Sequence, residues 1–300
     1  VNTAAPAHAR PAARALGAAT LGLALGALLL GRRRPSPPPP PSPDRTAHRL
    51  YQAAALLAAS VLSDSALEHY RGDFENPGMF APLASAALVL ACALRARASP
   101  APYATACAVG TAGLGFHAYN VLRRPGGLSW ANLFYAAPLG APAALTLAGV
   151  LGLAARPVAA GAPTVAGLPT GRALCGLTAF GLVGTSAEAA LLHFRGAFQH
   201  PAMWLPVSVP PAAAAMLAGA ALPGRPGPRR LTDTLLKACT WLGALGTVFH
   251  ARGIARQMGG WRNWSQNVLA GPPLPAPPSF SALALAGRAA LALRARQERP

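Results

Sequence analysis

Apolar runs long enough to cross a lipid bilayer, most of them ended by Arg, recur along this chain of 300 residues and restrict what it can fold into. A hydrocarbon core of about 30 Å takes about 20 apolar residues of helix. Inside it every backbone N–H and C=O must find its partner within the protein, which leaves helices as the economical solution. Nine stretches approach that length: 13–30, 48–72, 80–94, 101–122, 138–155, 172–196, 204–222, 231–253 and 280–293. The expected fold is all-α, a polytopic integral membrane protein of about nine transmembrane helices. Composition agrees, with 11% charged residues against about 25% in a soluble domain.

The net charge of +18 would suit nucleic acid, but the basic residues sit at the ends of the apolar runs instead of forming one patch. That distribution is a topology signal and argues against a nucleic-acid partner. With loops assigned alternately to two faces, one face collects sixteen basic residues and the other nine. The richer face is expected to be cytoplasmic, in the plasma (inner) membrane, with the amino terminus extracytoplasmic and the carboxyl terminus cytoplasmic. Cys92, Cys107, Cys175 and Cys239 lie inside apolar runs without paired spacing, as small core residues do.

The first run, 13–30, is followed by Arg32, Arg33 and Arg34 where a cleavage site would need small residues, so a retained anchor over 1–34 is expected. The Pro-rich stretch 35–44 should be an extended linker, within a linking segment 35–47. Beyond it the chain repeats itself. HYRGDFENPGMFAP, residues 69–82, returns 124 residues later as HFRGAFQHPAMWLP with seven of fourteen positions identical. A second pair follows: FHAYNVLRRPGG at 116–127 matches FHARGIARQMGG at 249–260. With two residues inserted, that match extends from Trp130, Asn132, Pro138 and Pro142 to Trp264, Asn267, Pro273 and Pro277. The body therefore reads as two four-helix repeats, 48–160 and 161–300. Four spans return the chain to its starting side, so the repeats should be parallel.

Each half carries two His near the ends of two helices, His69 with His117 and His193 with His250. Acidic residues are scarce, yet Asp64 and Glu68 precede the first motif, and Glu188 stands at the position matching Asp64. Ionisable groups in spans are costly and mark function or a protein interior. Two facing imidazoles suit the axial positions of haem b, with Arg71, Arg123, Arg195 or Arg256 for its propionates. Carboxylates beside imidazoles suit a non-haem transition metal, held by Asp64, Glu68, His69 and His117 in one half and by Glu188, His193 and His250 in the other. Either cofactor implies a redox or electron-transfer role with a redox partner protein and the lipid bilayer as partners. A cation or proton transporter is the alternative, as is a structural subunit in which the His only close turns and Gly72, Gly126 and Gly127 supply backbone angles. His200, matching Asn76, could cap its turn or supply a further ligand.

Overall fold

Eight of the nine apolar runs fall within residues 42–97, 99–224 and 229–297, the parts described by this computed structural model, and all eight are helical. They are α1 (Ser42–Arg71), α2 (Ala81–Leu94), α3 (Pro100–Leu122), α5 (Gly140–Ala159), α6 (Thr170–Arg195), α7 (Val209–Ala221), α8 (Arg229–Ala255) and α10 (Pro278–Gln297). Two short helices, α4 (Trp130–Tyr135) and α9 (Trp264–Ala270), lie in the connections from α3 to α5 and from α8 to α10. The 3-10 segments Pro77–Phe80 and Pro201–Val207 lead into α2 and α7. About 80% of the structure is helical. Among the described residues, the sheet is one hairpin of two-residue strands, Thr164–Val165 paired with Leu168–Pro169. The expected anchor at 13–30 lies outside the described residues.

The Pro-rich linker ends earlier than its composition suggests. Residues 42–44, expected to be extended, form the first turn of α1. Pro43 is compatible there, because the first turn of a helix makes no use of the N–H that proline lacks.

Among the described residues, five helical segments are long and apolar enough to cross a membrane: Arg45–Arg71, Pro77–Leu94, Gly140–Ala159, Thr170–Arg195 and Pro201–Ala221. The helices α3, α8 and α10 are less apolar. α3 is built largely of Ala, Gly and other small residues. α8 and α10 carry charges that compensate one another, since Asp233 sits 2.7 Å from Lys237 and 2.8 Å from Arg288 of α10.

α1 buries Leu50, Ala53, Ala54, Leu57, Ala58 and Val61, a stripe at helical spacing. α10 buries Ala282, Leu283, Ala286, Ala289 and Ala290 and packs against α1, α6 and α8. Cys175 and Cys239 are fully buried and all four cysteines are free, as core residues should be.

Close approach of backbones sets the helices that carry the second His of each half. A methyl group on Gly110 of α3 would meet the Thr146 nitrogen at 2.6 Å and the Pro142 carbonyl at 2.7 Å, both on α5. At the matching position, a methyl on Gly243 of α8 would meet the Pro277 carbonyl at 2.8 Å and the Ser281 nitrogen at 2.9 Å. Backbone atoms cannot yield as side-chain ends do, so only glycine fits either crossing. Small residues at such crossings let helices pack without needing a hydrophobic driving force between them. Gly110→Val and Gly243→Val should each lower stability by about 1–3 kcal/mol through overpacking, seen as a lowered thermal midpoint in detergent. The same substitution at Gly219, where a side chain would meet open space, should be near neutral.

Candidate functional site

The first motif folds into a hooked helix end. After α1 the residues Asp73 and Phe74 take left-handed φ of 52° and 51°, and the Phe74 N–H donates to the His69 carbonyl at 3.0 Å. The Asn76 side chain then accepts from the Gly78 N–H at 2.8 Å and starts the 3-10 segment. This brings the Met79 carbonyl to His69, whose Nδ1 donates to it at 2.7 Å. The second motif builds the same hook. Ala197 and Phe198 have φ of 55° and 45°, the Phe198 N–H donates to the His193 carbonyl at 3.0 Å, and His193 Nδ1 donates to the Met203 carbonyl at 2.8 Å.

Aromatic rings close each hook. Phe74 stacks on Phe80 with centroids 4.5 Å apart, and Phe198 stacks on Trp204 at 4.1 Å. Phe74 and Phe198 also present edges to His69 and His193. The retained Gly72 and Gly196 do not supply the left-handed angles; the two residues after each of them do. A Cβ at either position would meet the flexible end of a Met side chain, the Met79 methyl at 3.4 Å or the Met203 methyl at 3.2 Å, which can yield. Two successive non-glycine residues in left-handed conformation are strained, and such strain persists only where surrounding contacts over-determine it.

The second His of each half is set by a different turn. Gly126 and Gly127 (φ 86° and 52°) follow α3, and Gly259 and Gly260 (φ 78° and 50°) follow α8, as the glycine pairs suggest. Buried Asn132 donates to the Pro125 and Gly127 carbonyls at 3.2 and 2.7 Å, and buried Asn267 to those of Met258 and Gly260 at 3.1 and 2.9 Å. The sequence pairs these two Asn without indicating what they bind. Beyond them, His117 Nδ1 donates to the Pro138 carbonyl, and His250 Nδ1 to the Pro273 carbonyl at 2.6 Å.

One chemical feature is common to all four. A carbonyl only accepts, so each Nδ1 carries a proton and, in the neutral ring, Nε2 is the lone-pair nitrogen. His69 and His117 lie within electrostatic reach of each other, as do His193 and His250. His200 has the opposite arrangement: its Nδ1 accepts from the Ala202 N–H at 3.1 Å. A neutral His200 therefore holds its proton on Nε2 and acts as the cap of its 3-10 segment, as Asn76 does in the first half.

Two of the three carboxylates are engaged elsewhere. Glu68 pairs with Arg71 at 2.7 Å, both partly exposed. Glu188 accepts from the Gly140 N–H at 3.1 Å, at the start of α5. Asp64 is half-buried within electrostatic reach of Glu188, Glu68 and Arg71. Among the described residues no three His, Cys, Asp or Glu side chains come together in a group that could hold a metal ion. The sets expected for a non-haem centre, Asp64, Glu68, His69 and His117 or Glu188, His193 and His250, are not assembled. Of the Arg proposed for propionates, Arg195 donates to the Phe134 carbonyl at 2.9 Å and lies over Tyr135, while Arg123 lies over Tyr119.

Comparison with protein-family models, with curated proteins and with solved structures finds no match to this chain. The left-handed residues give a direct test of the hook. Ala197→Gly should raise stability by about 1 kcal/mol by removing the Cβ clash of that conformation. An unchanged or lowered thermal midpoint would contradict the hooked geometry.

Proposed function

We propose that the chain is a membrane protein of two parallel four-helix repeats behind an N-terminal anchor. Each repeat would hold one b-type haem, between His69 and His117 in the first and between His193 and His250 in the second, in an electron-transfer role. The observation that carries this reading is the common state of the four imidazoles, each with Nδ1 bonded to a backbone carbonyl. Ligating His residues are held in this way, with the second nitrogen's proton given to a carbonyl that fixes the ring and raises its basicity. Two imidazoles per site suffice for haem, whereas other metal centres need a third or fourth ligand that the described residues do not bring together.

A bound haem supplies one-electron chemistry. The chain's part is to present two neutral imidazoles, to hold them with hydrogen bonds, and to surround them with apolar helix faces. Arg123 and Arg256, at matching positions, are the propionate partners in this reading, because Arg71 and Arg195 are held by Glu68 and the Phe134 carbonyl. The basic-residue distribution supports placing the His-bearing helix ends on the extracytoplasmic side of the plasma (inner) membrane, facing a redox partner protein, with the carboxyl terminus in the cytoplasm.

A second reading rests on the same bonds. Each imidazole fastens a carbonyl of the segment leading into the next helix, which is what a structural subunit without a cofactor would need. Absorption spectra of the purified protein separate the two. The haem reading expects a Soret band that shifts on reduction. It also expects His69→Ala and His250→Ala each to remove about half of the intensity, and the double variant to remove all of it. A colourless protein, in which these variants lose only thermal stability, would establish the structural reading.

A further inference from the structure

The segment whose carbonyl holds His117 is itself held by α6. Pro138, whose carbonyl accepts from His117 Nδ1, stands two residues before Gly140. The Gly140 N–H donates to Glu188 Oε1 at 3.1 Å, and Glu188 belongs to α6, the helix that carries His193. The fit is close: a Cβ on Gly140 would overlap Glu188 Oε2, so the carboxylate occupies the space that glycine leaves open. A second bond from the same helix grips the same segment, since Arg195 donates to the Phe134 carbonyl at 2.9 Å. Phe194 stacks on the Phe134 ring, with centroids 5.7 Å apart. The segment 134–140 is thus clamped at both ends by α6, with the His117 acceptor between the clamps.

The other half cannot repeat this. With Pro138 matched to Pro273 and Pro142 to Pro277, Gly140 corresponds to Pro275, and the following residues include Pro277 and Pro278. Proline has no N–H to give, so the carboxylate at the matching position, Asp64, has no equivalent donor at the start of α10. There Ser60 donates to the Pro275 carbonyl instead, in a short hydrogen bond. Arg71, the counterpart of Arg195, is turned to Glu68.

We infer that Glu188 is a positioning residue for His117: by fixing the start of α5 it sets the carbonyl that orients the imidazole, and so couples the first half's second His to the helix carrying His193. A carboxylate accepting at a helix start is favoured both by the N–H and by the helix dipole. The coupling runs in one direction, from second half to first, because only Gly140 offers a donor.

The inference concerns the ring of His117 and can be tested whether or not haem is bound. In full-length protein labelled with ¹⁵N-histidine, the Nδ1–H of His117 should give a downfield, exchange-protected proton signal in the apo form. Glu188→Ala should move that signal upfield and remove its protection while leaving those of His69, His193 and His250 in place. Glu188→Gln keeps an acceptor and should restore the signal, and Gly140→Ala, which evicts the carboxylate, should reproduce Glu188→Ala. Asp64→Ala should leave the His250 signal unchanged. If all four signals move together in Glu188→Ala, or none moves, or Gln fails to restore it, Glu188 does not position His117. In haem-loaded protein of the His250→Ala background, Glu188→Ala should also raise the midpoint potential of the remaining site, because a weaker Nδ1–H bond leaves the ligand less electron-rich. Absence of haem would sink the haem reading and leave the NMR result to decide this one.

Discussion

The proton on an imidazole Nδ1 at a half-buried helix end needs an acceptor, and in this chain a backbone carbonyl of the segment that follows supplies it. That bond appears at His69, His117, His193 and His250, and the loops of this protein are arranged around it. The left-handed pair after α1 and after α6 serves to bring a carbonyl back to the ring. The glycine pair and the buried Asn after α3 and α8 do the same by another route. A buried polar group without a partner costs about 1–3 kcal/mol, which is comparable with the strain in each hook. The strain and the bond therefore account for one another.

Helix packing sets where the ends of α3 and α8 lie. Glycine crossings at Gly110 and Gly243 let α3 and α8 sit against the backbones of α5 and α10, so the rings at their ends reach the segments that open those helices. α10, buried along much of its length, lies against α1, α6 and α8. Its Arg288 is paired with Asp233, which explains how a charge persists in a helix so well enclosed.

Helix positions were largely legible from apolar periodicity, because chain length per span and backbone satisfaction leave little choice. The site was legible as a set of His residues but not as a geometry. Matching Gly72 with Gly196 suggested backbone angles, whereas the angles fall on Asp73, Phe74, Ala197 and Phe198. No residue-type preference marks an aromatic residue as left-handed, since a stack formed six residues away holds it there. Asp64, Glu68 and Glu188 looked like ligands because carboxylates are rare in this chain. The partner of Glu68, Arg71, stands at the i,i+3 spacing of one helix face and is legible in sequence, whereas that of Glu188, a backbone N–H 48 residues away, is not. The unequal halves became intelligible only when Gly140 was seen to donate where Pro275 cannot.

In the proposed haem sites, paired imidazoles with Nδ1 held by carbonyls serve as ligands through Nε2. Electron paramagnetic resonance of the oxidised, purified protein addresses it directly. Bis-imidazole coordination in each half should give low-spin ferric signals integrating to two spins per chain. A high-spin signal, or a protein with no haem signal at all, would contradict it.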